Sequence, residues 1–255
     1  MAAFPKIPEP LILEHRIAEL MQDQKRVGWP LNVAKAQELE NTLLTRLEAL
    51  RAQAQSLCAF IPKGEWTPKR DNRTLGYTEG ASMTRVQEFN PSSRDHIAWL
   101  MKRDGWKPDK LTATGKPVID EVVLKDIGTK EALIFHEILV LQKKLGMLSQ
   151  GSNAWLKLVK NGRLHHSCFI GAATHRMAHS KPNLAQVSSD QDCRELFVTK
   201  SGWKLVDSDL AGIELRMFAH YLARYDEGRY AQILLNGDIH QVNADKIGIS
   251  RKLVK

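Results

Sequence analysis

The run Val206-Asp207-Ser208-Asp209-Leu210-Ala211-Gly212-Ile213-Glu214-Leu215-Arg216 follows the apolar-rich lead Trp203-Lys204-Leu205 and precedes residues spaced for a helix. Residues 203–209 therefore read as a strand and Ile213 to Arg224 as a helix. A strand that ends in carboxylates and turns into a helix holds acidic side chains rigidly at a sheet edge, where a divalent cation can bind. The same residues are also explained without a ligand. Strand ends are commonly turns or N-caps, and Glu214 in a first helical turn is favoured by the helix dipole. Asp207, two residues before Asp209, shares its face if the strand is regular and reads as structural or supporting.

Working outward from this run, a helix is expected over Tyr230–Leu235 and another opens near Asp238. Ser250 then reads as an N-cap, with fewer than two turns following it to Lys255. Upstream, from Gly162, short strand-like runs dominate. Earlier still the chain is helical. Over 10–28, Leu13, Ile17, Leu20 and Met21 recur at steps of three and four, ended by Gly28 and Trp29-Pro30. After Asn32, residues Ala36, Leu39, Leu43, Leu47, Leu50, Ala54 and Leu57 keep that spacing, so a helical hairpin with a packed seam is expected.

Periodicity vanishes over 61–88, whose Pro, Gly, Asn and basic residues, among them Lys69, Arg70 and Arg73, mark a long surface loop. Ser92 with Asp95 three residues later resembles a capping box for the next helix. A short hairpin or irregular connection is expected around Thr114-Gly115-Lys116-Pro117. Residues 130–160 read as a third long helix, with Leu133, Ile134, Ile138, Leu141, Leu145 and Leu148 apolar and Gln142-Lys143-Lys144 forming a basic turn. The pattern is α+β, helical over 1–161 and mixed over 162–255.

The 255 residues, 43% hydrophobic and 26% charged, have the profile of a globular protein with a core. No run approaches the roughly 18 to 20 apolar residues of a membrane span. The start MAAFPKIPEP lacks the blocks of a signal peptide, so a cytoplasmic protein is expected, neither secreted nor membrane-bound. Cys58, Cys168 and Cys193 are too few and scattered for a disulfide framework, and none stands in a C-x-x-C pair of the kind that announces zinc or redox chemistry. Lys plus Arg is 37 against 29 Asp plus Glu, a charge of +8 that favours a polyanionic partner, nucleic acid first.

Around the carboxylate run stand Thr174-His175-Arg176, Pro182-Asn183-Leu184-Ala185-Gln186, Arg194-Glu195-Leu196-Phe197 and Gly237-Asp238-Ile239-His240. In this order and spacing, together with Asp209…Glu214-Leu215-Arg216, they resemble the family A, polymerase I-like DNA polymerases, most closely the podophage-type replicative branch. Gly28-Trp29-Pro30, Phe89-Asn90-Pro91-Ser92-Ser93 and the helix through Gln142-Lys143-Lys144 resemble that family's thumb and its flanks.

The resemblance implies a helical thumb region over 1–161 and a partial antiparallel-sheet palm with helices over 162–255, an incomplete polymerase core. Asp209 matches the catalytic aspartate that binds both Mg²⁺ ions, and Leu210 the position whose carbonyl completes a coordination shell. Glu214 matches the glutamate that crowds the 2′ position of the incoming nucleotide. Arg176, Asn183 and Gln186 match residues on the minor groove and primer end. His240 matches a histidine on the triphosphate of the incoming deoxynucleoside triphosphate, and Arg251 and Lys255 match the basic start of the fingers helix. Lys143 and Lys144, with the basic loop, are candidates for backbone contacts to primer–template DNA.

The tyrosine and glycine of that helix and the second metal-binding aspartate have no match in the chain. The expectation is therefore an amino-terminal part of a DNA polymerase, inactive alone, that needs a complementary carboxy-terminal fragment. A separate exonuclease or processivity factor is a further candidate partner. Two other readings stay open: a DNA-binding module without catalysis, and a truncated reading frame with no function.

Overall fold

The computed structural model describes residues 8–174 and 176–254, apart from the side chains of Lys252 and Val254. They fall into two compact units, the first ending at Thr199 and the second beginning at Lys200.

In the first unit, helix α1 (Glu9–Val27) stops at Gly28, whose φ of 70° suits glycine; a Cβ there would meet the His165 imidazole at 2.8 Å. The two-residue strand β1 (Trp29–Pro30) leads into α2 (Val33–Leu57). The Asn32 side chain accepts the Lys35 N–H at 3.0 Å and caps this helix. As its spacing predicts, α2 buries Ala36, Leu43, Leu47, Leu50 and Ala54. Strands β2 (Phe60–Trp66) and β3 (Met83–Glu88) form an antiparallel hairpin, followed by α3 (Arg94–Arg103). Helices α4 (Glu121–Ile127) and α5 (Lys130–Leu145) are capped by the side chains of Asp120 and Thr129.

Helix α5 packs on both α2 and α4, burying Phe135, Ile138, Leu141 and Leu145. Each such residue contributes about 1.5–3 kcal/mol when fully buried, so this contact anchors the unit. Arg46 of α2 donates to both carboxylate oxygens of Glu137 on α5, at 2.7 and 2.9 Å, which orients the pair but adds little at so exposed a position.

Beyond α5 come a π-helical turn at Gly146–Gln150, helix α6 (Trp155–Leu158), and strand β4 (Arg163–Leu164), which pairs antiparallel with β1. Strands β5 (Ser167–Phe169) and β6 (Ala178–Ser180) form a second small hairpin, followed by a 3₁₀ turn at Leu184–Gln186 and α7 (Gln191–Arg194). Leu148, Trp155, Leu164, Cys193 and Leu196 are buried in the same core as α2 and α5. Residues 162–199 thus share a compact unit with the helices before them, and that unit ends at Thr199.

The second unit begins with a segment of no regular secondary structure, then α8 (Ile213–Asp226), α9 (Arg229–Asn236), α10 (Ile239–Ile247) and α11 (Arg251–Val254). Phe218 and Tyr230 meet edge-on at 5.7 Å where α8 packs on α9. The whole is a mixed α+β fold of helices with small antiparallel sheets. No described helix is long and apolar enough to cross a membrane.

Several expectations are corrected. Residues 203–209 form no strand and pair with none among the described residues, because a strand needs a neighbour to satisfy its backbone and none is there. Residues 61–88 are not a loop throughout: hairpin strands hold both ends, with an irregular connection over 67–82, and Trp66 packs edge-on against Tyr77 at 4.9 Å and lies under the Arg85 guanidinium at 4.8 Å. The third long helix ends at Leu145, beyond which the π turn and a short helix carry the chain. The expected seam of α1 is unpacked, with Leu13 and Leu20 exposed; its contacts run to β5. Ser93, not Ser92, stands at the N-cap of α3. Ser92 Oγ accepts instead from Arg51 and Gln142, and Asp95 pairs with Lys116.

Candidate nucleic-acid interface

A cleft of about 910 Å³ opens in the first unit where the end of α5, the π turn and the segment from Pro182 to Asp190 converge. Its floor includes Val140, Met147 and Trp155, and its rim includes Lys143, Lys144, Asn183 and Gln186. Four of the residues singled out for DNA contact are thereby gathered in one place although about 40 residues of sequence separate the pairs.

The π turn shapes one wall. Gly151 donates its N–H to the Gly146 carbonyl at 3.0 Å, and a Cβ at Gly151 would lie 2.4 Å from that same oxygen. Only glycine allows so close an approach. Insertions of this kind in helices are frequent at functional sites.

The two lysines differ. Lys144 has only 19% of its side-chain surface exposed and pairs with Asp190 at 3.0 Å, whereas Lys143 is 79% exposed, with Glu121 at 3.6 Å. Ser188 Oγ also donates to Asp190 at 2.6 Å. These two partners, Ser188 first, hold the Asp190 carboxyl below its usual range, so it stays charged opposite Lys144. Lys143 has the solvated charge suited to a phosphate, and Lys144 is committed to the cleft wall.

Asn183 caps the 3₁₀ turn, its side-chain oxygen accepting the Ala185 N–H at 3.1 Å. That commits the oxygen and leaves the NH₂ to donate, the polarity that matches acceptors in a minor groove. Arg176 is exposed in the connection between β5 and β6 and does not line the cleft. Lys69, Arg70 and Arg73 are exposed at the tip of the β2–β3 hairpin.

In the second unit, Asp207 and Asp209 are both exposed on the segment before α8, with Glu214 exposed in the first turn of that helix. Gly212, at φ 61°, makes the turn into the helix. The Leu210 carbonyl accepts the Ile213 N–H at 3.2 Å and keeps its second acceptor position. A solvent-facing carboxylate next to a half-used carbonyl is the hard oxygen donor set that Mg²⁺ takes, so these residues fit that ion.

His240 and Arg251 are linked through Asp238. One Asp238 oxygen caps α10 by accepting the N–H groups of His240 and Gln241, and the other accepts from Arg251 at 2.6 Å. The Arg251 hydrogen bond is the chief reason that this carboxyl titrates below its usual range. Lys255 lies outside the described residues.

One constellation escaped sequence reasoning. His166, Cys168 and His179 converge at the β5–β6 hairpin with their ligand atoms within 4.8 Å of one another. The His-x-Cys spacing was the only signal, and it becomes visible once the strand pairing is known.

Residues 70–253 match the family model for DNA polymerase family A. The chain belongs to that family. This family A chain is 34% identical to the DNA-directed DNA polymerase of Escherichia phage T7 and, equally, to that of Enterobacteria phage T3, each over 92% of the chain and 42% of the relative. It is 30% identical to DNA polymerase I of Pseudomonas aeruginosa over 63% of the chain and 18% of the relative. Among solved structures, its fold is similar to the POL domain of Pol1 from M. smegmatis, in complex with DNA primer-template and dNTP. The TM-score is 0.62 at 17% identity, over 91% of this chain and 37% of that one. The chain thus spans about two fifths of the length of these phage relatives.

Proposed function

We propose that this family A chain is the amino-terminal part of a template-directed DNA polymerase, holding primer–template DNA and contributing one metal-binding carboxylate to deoxynucleotidyl transfer. The observation that carries the reading is the cleft that collects Lys143, Lys144, Asn183 and Gln186. Charged and amide donors on an apolar floor suit a sugar–phosphate backbone and the sequence-tolerant acceptors of a minor groove. In this reading residues 1–161 do the work of a thumb and residues 162–255 that of a partial palm.

Asp209 and the Leu210 carbonyl are the groups that hold Mg²⁺. When bound, the two ions supply charge stabilisation to the attacking 3′ oxygen and the leaving pyrophosphate. Glu214 stands five residues on, where a rigid carboxylate excludes a 2′-hydroxyl by crowding and by denying it solvent. Asp238 fixes the start of α10 and the Arg251 guanidinium together, so His240 and Arg251 act as one triphosphate-binding pair, with Lys255 as a further cation.

The reading includes a complementary carboxy-terminal polymerase fragment. Supporting it, α8 exposes Met217, Phe218, Tyr221 and Tyr225, and the segment before it exposes Trp203, Leu205 and Val206, apolar surface of the kind that another chain covers.

Primer extension tests the proposal. The purified chain with primer–template, dNTPs and Mg²⁺ is expected to extend nothing. Adding a fragment that carries the rest of a phage-type polymerase core is expected to restore synthesis. Primer–template binding without any restored synthesis would favour a DNA-binding module, and neither binding nor synthesis would favour a chain without function.

A further inference from the structure

We propose that His166, Cys168 and His179 form a binding site for a zinc-class divalent cation that clips strand β5 to strand β6. The placement follows from strand geometry. His166 immediately precedes strand β5, two residues from Cys168, and Cys168 stands directly opposite His179 in the antiparallel register. Three side chains with nitrogen or sulfur ligand atoms are thereby brought to one point from sequence positions that no C-x-x-C rule detects.

The distances suit the ion. Cys168 Sγ lies 3.1 Å from His166 Nε2 and 3.2 Å from His179 Nδ1. With Zn–S near 2.3 Å and Zn–N near 2.0–2.1 Å, the edges of a tetrahedral site are about 3.3–3.8 Å, so a slight opening admits the metal. The imidazoles are nearly parallel, 11° apart with centroids at 5.8 Å, so they flank the sulfur without blocking it.

Hydrogen bonding alone leaves the cluster poorly satisfied. A thiol has one proton to give and sulfur is a weak acceptor, yet two ring nitrogens face it. His166 is 3% exposed, and its Nδ1 is buried with no partner. On binding, the Cys168 S–H bond breaks, its proton leaves to solvent, and a sulfur–metal bond takes its place. Cys168 and His179 are only half-buried, so a water can complete the fourth position. Imidazole with thiolate favours zinc over Mg²⁺, which separates this site from the oxygen donors at Asp209. The clip would steady the hairpin whose connection carries Arg176 and whose second strand runs into Pro182-Asn183.

The test uses the full 255-residue chain, stripped with chelator and titrated with Co²⁺ and then Zn²⁺. One ion per chain is expected, with a thiolate-to-cobalt charge-transfer band in the near ultraviolet that Zn²⁺ bleaches. Cys168→Ser should abolish the band, while Cys58→Ser and Cys193→Ser should keep it. Outer partners of metal ligands alone are worth about 10–100-fold in affinity, so His179→Gln should weaken Zn²⁺ binding at least tenfold. Circular dichroism checks that each variant folds. Should Cys168→Ser not fold, protection of Cys168 from alkylation by Zn²⁺ in the unmodified chain, mapped by peptide mass, takes its place. A folded chain with neither band nor protection, or a band that survives Cys168→Ser, overturns the proposal.

Discussion

The Asp238 carboxylate accepts the Arg251 guanidinium at 2.6 Å with one oxygen while the other caps the helix that carries His240. Two residues matched to triphosphate contact are therefore held by one acid. Asp238→Ala should release both, and amide exchange across residues 239–247 should quicken about fivefold, the usual worth of a lost cap. Because the folded pKa of Asp238 is depressed, its contribution is present above the ordinary carboxylate pKa and is lost as pH falls through the folded value. Protection of these amides in wild type, corrected for the intrinsic exchange rate at each pH, should therefore fall toward that of Asp238→Ala in acid and be unaffected by moderate alkali.

The unequal exposure of Lys143 and Lys144 separates phosphate binding from cleft integrity. Lys143→Ala should weaken primer–template binding and reduce its log–log salt slope by about 0.9, read by fluorescence anisotropy over a salt series. Lys144→Ala leaves Asp190 without its cation. It should lower the melting temperature as well as the affinity.

At Gly151 a methyl group would stand 2.4 Å from the Gly146 oxygen, so the backbone of the π turn must move to admit it. Gly151→Ala is expected to cost about 1–3 kcal/mol of unfolding free energy, measured with urea, and to lower DNA affinity. Gly115→Ala is a control for the method: its site has open space but a φ of 77°, so the smaller cost there is backbone strain alone.

Phe135 is fully buried between α5 and its neighbours and touches Phe89 edge-on at 5.9 Å. Truncation to alanine removes that contact and opens a cavity. Phe135→Ala should cost about 3–5 kcal/mol in denaturant unfolding of the first unit.

Long helices with a continuous apolar face were legible in the sequence. Asn32 followed by Leu43, Leu47 and Leu50 defined α2, and the helix expected from Ile213 is α8. Elements whose stability lies in partners far along the chain were not. The β2–β3 hairpin rests on Trp66, Tyr77 and Arg85 packing across a gap of sequence that lacks any period. Residues 203–209 have strand chemistry, yet strand formation needs a neighbour, which is absent among the described residues. The cleft shows the same division. Lys143, a candidate from its basic turn, and Asn183, a match to the family, were found separately, and only folding set them in one cleft. Cysteine spacing missed the His166–Cys168–His179 cluster because its third member comes from the facing strand.

The central claim is that the exposed acid of the segment entering α8 serves chemistry and not DNA affinity. Its most direct test compares wild type and Asp209→Ala in a polymerase reconstituted with the complementary fragment, following primer extension and primer–template binding side by side in Mg²⁺. Extension should fall by at least about a hundredfold with binding unchanged, as for loss of a group that acts in the transition state. Equal extension by the two would contradict the account.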